Sequence, residues 1–596
     1  MFDSIPVPLQ AIFWPLLGAA AILATSRLLP GWILRIAAFV ASGASLLTLW
    51  SLRGGMAERI ELLWTPLSFF RMSPTFHVDA LSLLVGILLA ATTSLLLLGI
   101  RDSRYQGGVW RALILMVLAG GLSMTAASNL LTLALGSALL DLAILSAAVS
   151  MSPEADRTVW RMAVPGIGST ILLVFAAVHA DAQTGTASLW ARELPGETIL
   201  MLGAAGVLRQ LVFPWHPRGL RTAGTATIFL LSSAVGIYLL ARSQTLAPVL
   251  TQQPWMLAIA ALAVVAGGLL AASHAMAAKT EPESQAAPIH TQPESPSQLS
   301  ERVAGEGLAA SWFGIAIHQA GFALCFLLLV QSPVPWPLLG MTLALSSLLI
   351  WLDSTEESST TDSLTWLTPL KHQVMSWSER AQTVVVQRLP GRAQLEETSL
   401  GRYAIMALPT VALASLAGVP LTLGARGRWS LYAILIHDGN VALLTAIMIA
   451  DAFLFTAVWA ALPTLRGQIH VRHPSVTALL AMALIALLLI VPGVLPGAVD
   501  LQPAEASDSP VLALGLLFVF PWLVGWWVYR IGSRIGVPWD MLHRVIGLKW
   551  LYRGAGWAGQ KVSSAVRWLG QVGEGDGWWG WVLIILALGA MLLTAR

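Results

Sequence analysis

The sequence contains little charge, one cysteine and few lysines. Charged side chains make up 11% of the 596 residues and hydrophobic side chains 56%. Soluble domains are about one quarter charged, so this composition excludes a water-soluble globular protein. The single cysteine, Cys325, excludes an internal disulfide and cannot by itself build a thiolate metal site or an iron–sulfur cluster. The four lysines, Lys279, Lys371, Lys549 and Lys561, lie outside the long apolar runs.

Nucleotide-binding and redox motifs are also missing. No G-x-G-x-x-G motif occurs in a strand–helix–strand context, so nothing predicts a site for NADH or flavin. We therefore expect no cofactor, no metal and no nucleic-acid partner. Any redox chemistry would belong to another subunit.

Long apolar runs recur along most of the chain and predict an all-α polytopic membrane protein. About sixteen segments are long and apolar enough to span a membrane. They lie at 7–26, 32–50, 78–100, 109–127, 129–150, 160–179, 197–215, 225–242, 254–276, 309–330, 335–352, 403–423, 439–463, 475–496, 510–529 and 578–594.

The basic residues predict the orientation of these segments. If the N-terminus lies outside, the inside loops hold 25 of the 34 Lys and Arg residues, and the outside loops with the C-terminus hold six. Three more, Arg209, Arg426 and Arg428, lie near or within apolar runs. Because basic residues favour the inside, the asymmetry predicts an outside N-terminus.

Three regions interrupt the spanning pattern. Residues 280–303 are rich in Pro, Ser, Gln and Glu and predict a mobile loop. Residues 353–400 include apolar positions at helical spacing and predict an amphipathic helix on the membrane surface. The basic stretch 530–567 predicts a lateral amphipathic helix, and 578–594 predicts a final membrane anchor.

Polar side chains inside apolar runs are the candidate functional residues, because each costs a few kcal/mol unless it is paired or solvated. Arginine cannot release its proton at physiological pH, whereas histidine titrates near neutrality. The stronger candidates for an ion pair or a proton path are Asp141, Arg209, His216, His318, Gln319 and Arg428. The weaker candidates, assigned nearer to helix ends or loops, are Arg426, His437, Asp438 and Asp451.

Each of the main candidates has a structural alternative. Asp141 is either a titrating carboxylate on a proton path or one half of a fixed ion pair with Arg209. His216, between two prolines, is either titratable or a helix cap. His318 is either a relay member or a satisfied buried histidine. Residues 418–420, Gly-Val-Pro, indicate a broken helix, which membranes tolerate where the backbone faces protein or water.

Six stretches resemble, in the same order, motifs of the antiporter-like subunits of respiratory complex I and of multi-subunit cation/proton antiporters. The resemblance covers roughly residues 60–495. The stretches are FHVDALSLL, SNLLTLALGSALLDL, LRQLVFPWHPRGL, TATIFLLSSAVGIYLLAR, AIHQAGFALCFL and LASLAGVPLTLGARGRWSLYAIL.

The resemblance implies a core of fourteen helices with two inverted five-helix repeats, each containing a broken helix. The largest members of the family add a lateral amphipathic helix and an anchoring helix. On this basis we expect four regions: N-terminal helices and an outside loop (1–77), a first repeat region (78–242), a second repeat region (243–496) with cytoplasmic insertions at 278–305 and 353–400, and a C-terminal extension (497–596).

The departures from the family pattern concern its charged residues. The glutamate of the fifth helix falls on Ala138, and Asp141 lies one turn later. The lysine of the seventh helix falls on Arg209, and the lysine of the second broken helix falls on Arg428. The histidine of the eighth helix falls on Ile228. Permanent guanidinium charges therefore replace amines that can lose a proton.

The resemblance implies a divergent antiporter-like subunit of a complex I-like energy-coupling assembly, with an altered or lost proton path. Its partners would be other membrane subunits and lipids, and the transported ion H+ or Na+. The expected location is the inner or cytoplasmic membrane of a prokaryote. Two alternatives stay open: a purely structural scaffold subunit, and a proton-coupling subunit of an inorganic-carbon uptake system.

Overall fold

The computed structural model describes 6–26, 28–54, 60–61, 73–100, 108–151, 156–185, 187–189, 194–210, 223–246, 254–280, 296–330, 336–355, 399–469, 474–494, 511–532 and 557. These residues form α1 (Val7–Thr25), α2 (Gly31–Ser51), β1 (Ile60–Glu61), β2 (Thr75–Phe76), α3 (Ala80–Gly99), α4 (Gly108–Thr125), α5 (Leu130–Met151), α6 (Asp156–Thr184), α7 (Gly196–Gln210), α8 (Ala223–Leu246), α9 (Pro254–Thr280), α10 (Pro296–Val330), α11 (Trp336–Thr355), α12 (Ser399–Ala417), α13 (Leu423–His437), α14 (Val441–Ile469), α15 (Val476–Val494) and α16 (Val511–Ile531).

The predicted all-α membrane fold is confirmed. In the part of the chain that the structure describes, nine helices are long and apolar enough to cross a membrane. Shorter apolar stretches lie in α5, α10, α12 and α16. Among the described residues, the β-structure consists of two short antiparallel strands. Backbone polar groups are therefore hydrogen-bonded mainly within helices, as a hydrocarbon environment requires.

The helices differ in how much of their surface they bury. Most of α3, α4 and α11 is buried, whereas α1, α2 and α15 bury about one third of their apolar spans. The outer helices present large apolar side chains such as Phe13, Trp32 and Leu480 to the surroundings. In a bilayer such a surface needs no covering, because lipid tails are as apolar as leucine.

A small network of backbone hydrogen bonds joins the connections before α3, between α4 and α5, and between α6 and α7. Strand β2 pairs with β1, and Phe76 also bridges Ala127. Asn129 bridges Ser188 and donates its side-chain amide to the Ser73 carbonyl at 2.8 Å. This network fixes the start of α5, the helix that carries Asp141.

Helices α9 and α10 approach closely through glycine. A Cβ atom at Gly267 would lie 2.2 Å from the backbone nitrogen of His318, and one at Gly314 would lie 2.2 Å from the nitrogen of Ala271. Small residues allow this backbone contact in membrane helices. The contact places His318 against α9 with no side chain between them.

Several helices differ in their bounds from the predicted segments. Helix α13 lies between the predicted spanning segments 403–423 and 439–463, where two arginines and two glycines interrupt the apolar pattern of Leu423, Leu431 and Leu435. Helix α10 begins at Pro296, so the predicted mobile loop 280–303 is wrong over its last residues. Proline is favoured in the first turn of a helix, which accounts for the earlier start.

Several predictions fall on other parts of the chain. The amphipathic helix within 353–400, most of the lateral helix 530–567 and the anchor 578–594 lie outside the described residues.

Candidate functional site

The first charged cluster lies between α5, α6 and α7, which pack against one another in chain order. Asp141 and Ser137 are one turn apart on α5 and therefore share a face. Arg209 is the second-to-last residue of α7 and is fully buried. Asp141 keeps an exposed edge, with 10% of its side chain accessible.

Arg209 and Asp141 form a two-point ion pair. Arg209 Nη1 donates to Asp141 Oδ1 at 2.8 Å, and Nη2 donates to Oδ2 at 3.1 Å. This fork geometry is specific to guanidinium, because an ammonium group lacks the planar pair of donors. Arg209 Nε has no hydrogen-bond partner among the described residues, so the group is held by its two terminal nitrogens.

Hydroxyl groups complete the first cluster. Arg209 Nη2 also donates to Ser137 Oγ at 2.5 Å and lies 3.3 Å from Thr170 Oγ1 and 3.4 Å from the Gly166 carbonyl. Thr170 in turn donates to Asp141 Oδ2 at 2.5 Å. Both ions thus have polar neighbours besides each other, which is the condition under which a buried pair is tolerated.

The next residue, Gln210, ties the end of α7 to α8. Its amide nitrogen donates to the Ser233 carbonyl at 2.5 Å, and its amide oxygen accepts from the Ser233 hydroxyl at 2.6 Å. A Cβ atom at Gly236 would lie 2.9 Å from the Gln210 side chain and 3.1 Å from Arg209 Cβ. Glycine on α8 therefore leaves room for the end of α7 and its arginine.

The second charged cluster surrounds the break between α12 and α13. Gly418 has φ 76° and Leu421 has φ 71°, so the chain leaves α12 through left-handed conformations. A Cβ atom at Gly418 would lie 2.5 Å from Arg428 Cδ, so glycine is required for both its backbone angle and its space. The break predicted from Gly-Val-Pro is present at this position.

Asp451 is the centre of the second cluster. Arg428 contacts one of its oxygens, Oδ1, through Nε at 3.1 Å and Nη2 at 3.0 Å. His318 Nε2 lies 3.2 Å from the same oxygen, within ion-pair distance but not aligned for a hydrogen bond. Tyr432 donates its hydroxyl to the other oxygen, Oδ2. All four side chains are buried.

The same cluster also provides hydrogen-bond donors to a backbone carbonyl at the end of α12. Arg428 Nη2 donates to the Leu416 carbonyl at 2.8 Å, and the Gln319 amide donates to it at 2.6 Å. The last carbonyls of a helix lack intrahelical partners and carry partial negative charge, which favours a cation there. The guanidinium carbon of Arg428 also lies 5.0 Å from the centre of the Phe322 ring.

The two clusters have different chemistry. Among the described residues, the first contains a carboxylate, a guanidinium and two hydroxyls, and no histidine. In the second, His318 is a group whose ordinary titration range lies near neutral pH. It shares the Oδ1 atom of Asp451 with Arg428, so a proton on the imidazole would add a second cation to that oxygen.

A third ion pair was missed from the sequence. Arg242 is the last residue of the predicted segment 225–242 and lies within α8, because that helix continues to Leu246. It contacts Asp79 through Nη1 at 2.7 Å and Nη2 at 2.8 Å, and it donates to Ser82 and Tyr238. Asp79 also caps α3 by accepting from the Ser82 amide.

The charge of Asp79 is favoured by this pairing. Burial by itself raises the pKa of the Asp79 carboxyl, but hydrogen bonds and charge from Arg242 outweigh burial and lower the pKa to about 2. The VDALS motif and the YLLAR motif carried the signal for this pair. Neither residue lies in the middle of an apolar run, where a charge by itself indicates the need for a partner.

The remaining candidates among the described residues make other contacts or are exposed. Arg426 donates to the Pro492 carbonyl at 3.3 Å and lies over the Trp336 ring. His437 and Asp438 are exposed at the C-terminal end of α13. His216 lies outside the described residues. Asp451 was placed nearer a helix end, and that placement was wrong: it lies well inside α14 and contacts both Arg428 and His318.

No family model and no curated protein matches the sequence. Solved structures do. A chain of the Mrp complex from Dietzia sp. DQ12-45-1b is 18% identical with a TM-score of 0.63, over 98% of this chain and 63% of that one. This chain therefore spans less than two thirds of that chain's length.

Two respiratory complexes also contain similar chains. One in respiratory complex I from Thermus thermophilus is 17% identical with a TM-score of 0.53, over 82% of this chain and 98% of that one. One in the membrane-bound sulfane sulfur reductase, an archaeal respiratory membrane complex, is 15% identical with a TM-score of 0.57, over 98% and 99%. At these identities the likeness establishes the fold, which agrees with the fold that the sequence motifs implied.

Proposed function

We propose that this chain is a divergent antiporter-like membrane subunit of a complex I-like energy-coupling assembly, with an altered proton path. The fold supports this proposal, since chains of three multi-subunit membrane complexes share it. The observation that carries it is the presence of two buried arginine–aspartate pairs, Arg209–Asp141 and Arg428–Asp451, at the ends or breaks of helices. Half-helix ends are common ion sites in transporters.

The guanidinium groups limit which residues of such a path can carry a proton. An arginine can polarise water and can release or recapture a carboxylate, but it does not give up its own proton. Any proton crossing the chain is therefore carried by other groups or by water. Among the described cluster residues, His318 and the carboxylates of Asp141 and Asp451 have this capacity.

A structural scaffold is the second candidate, and one observation favours it. Both arginines have a carboxylate and further polar partners within the chain, so their charges are balanced without a mobile ion. A subunit of this kind would hold the helices together and would leave transport to its partners. The inorganic-carbon alternative has no observation of its own among the described residues.

Purification of the chain with its natural partners tests the proposal. The chain, tagged at one end in its native host, would be isolated in mild detergent and its partners identified by mass spectrometry. We expect several membrane proteins and at least one subunit with redox or ion-coupling chemistry. The assembly in liposomes should acidify or alkalinise the interior when its driving reaction runs. Isolation of the chain alone would contradict the proposal, and an intact assembly that moves no protons would favour the scaffold.

A further inference from the structure

The surroundings of Arg209 Nη2 are made of oxygen atoms. Four oxygens lie within 3.4 Å of this nitrogen: Ser137 Oγ, Asp141 Oδ2, Thr170 Oγ1 and the Gly166 carbonyl. They come from α5 and α6, so the oxygen cluster belongs to two helices that do not include the arginine. Three of these oxygens are also linked without the arginine, since Ser137 Oγ lies 2.6 Å from Thr170 Oγ1 and Thr170 donates to Asp141 Oδ2.

This set of ligands has the character of a site for a hard cation. Such ions prefer carboxylate, hydroxyl and carbonyl oxygens, and the cluster contains neither sulfur nor imidazole. Its formal charge without Arg209 is −1, from Asp141 alone. A monovalent cation balances that charge, whereas a divalent ion would leave a buried excess of positive charge.

The second cluster offers fewer oxygen ligands and contains an imidazole. Arg428 Nη2 has one carbonyl and one carboxylate oxygen as its partners, and the guanidinium lies against the Phe322 ring. His318 stands beside the same carboxylate. An ion there would have an aromatic ring and an imidazole among its neighbours, so the oxygen-rich arrangement is a property of the first cluster.

We propose that Ser137, Asp141, Gly166 and Thr170 form a binding site for one small monovalent cation such as Na+, which Arg209 fills as a tethered cation. With the arginine in place the chain does not respond to Na+ at this position. Displacement of the arginine opens a site to which the ion binds. This inference is independent of whether the assembly moves protons, because it concerns the affinity of one oxygen cluster.

The test uses the full chain purified in detergent. Apparent melting temperatures of wild type, Arg209→Ala and the charge-balanced double variant Arg209→Ala/Asp141→Ala would be measured in chloride salts of Na+, guanidinium and choline at equal ionic strength. Concentrations stay far below those at which guanidinium denatures proteins. Choline is too large for the cluster, and guanidinium reports whether the vacated cluster is accessible.

We expect Na+ to raise the melting temperature of Arg209→Ala over choline by about 2 °C or more, as ligand binding to the folded state requires. Wild type and the double variant should show no difference between the two salts. Stabilisation by guanidinium alone would contradict the proposal, because the oxygens would then bind only an N–H donor. Stabilisation by neither cation would also contradict it, because the vacated oxygens would then bind no cation.

A folding defect in Arg209→Ala also decides the question. Folded Arg209→Ala obtained in Na+ but not in choline, with the double variant folded in both salts, supports the site. Failure of Arg209→Ala in both salts while the double variant folds contradicts it. Failure of both variants in both salts would show that the arginine acts through packing, and would also contradict it.

Discussion

Arg428 and His318 contact the same oxygen of Asp451, at 3.0 and 3.2 Å respectively. Arg209, by contrast, engages both oxygens of Asp141, and no imidazole of the described residues shares that carboxylate. The two pairs are therefore unequal. The first is a forked, hydroxyl-braced pair, and the second contains a carboxylate shared among a guanidinium, an imidazole and a phenol.

Removal of the shared carboxylate should destabilise the chain strongly. Asp451→Asn keeps the shape of the side chain but leaves Arg428 without a negative partner. Breaking a buried pair from one side costs about 3–5 kcal/mol. The expected result is a clear fall in the melting temperature of the detergent-purified chain. Asp438→Asn, at the exposed end of α13, is the matched control and should be nearly neutral.

A single hydroxyl in the first cluster should have a measurable effect. Thr170→Val keeps the volume and β-branching of the side chain while removing its donation to Asp141 Oδ2. Loss of this partly buried hydrogen bond to a carboxylate should cost on the order of 1 kcal/mol. We expect unfolding at lower temperature for this variant. A melting curve identical to that of wild type would show that Asp141 does not need this donor.

The glycine contact between α9 and α10 predicts a steric effect. Gly267→Ala would place a Cβ atom 2.2 Å from the His318 backbone nitrogen, so the two helices must separate. Gly43→Ala on α2, where no atom lies within 4 Å, is the control. It should be neutral or stabilising by up to ~1 kcal/mol, because alanine is the better helix former. Equal melting temperatures for both variants would argue against the close approach.

The Asp79–Arg242 pair predicts a dependence on acid. Because pairing lowers the pKa of Asp79 from 3.8 to about 2, the ionised carboxyl stabilises the folded chain. This contribution is fully present above the unfolded pKa and is lost as the pH falls through the folded pKa.

The difference in stability between wild type and Asp79→Asn should therefore be constant above about pH 4, near the unfolded pKa of Asp. It should shrink as the pH falls towards 2. Chemical denaturation of both proteins across this range measures it. A difference that does not vary with pH would exclude an ionised Asp79 as the cause.

The membrane fold could be predicted from the sequence, and so could the pairing of Arg209 with Asp141 as one of two alternatives. Apolar runs report spanning helices directly, and a charge within such a run requires a partner, which linked Arg209 to Asp141. The second cluster was harder to predict from the sequence, because α13 mixes arginines and glycines with its apolar residues. Asp451 was underrated because burial among His318, Arg428 and Tyr432 arises from tertiary contacts that periodicity does not report.

The central claim is that Arg209 keeps a permanent charge and does not itself carry protons. Proton flux per intact assembly tests this claim most directly. Arg209→Ala and wild-type assemblies would be purified in parallel, quantified by their yield of complete complex, and compared in liposomes with a pH-sensitive dye. We predict that the yield of intact assembly falls more than the flux through each assembly that forms. An unchanged yield together with abolished flux would contradict this, because Arg209 would then act in the proton path itself.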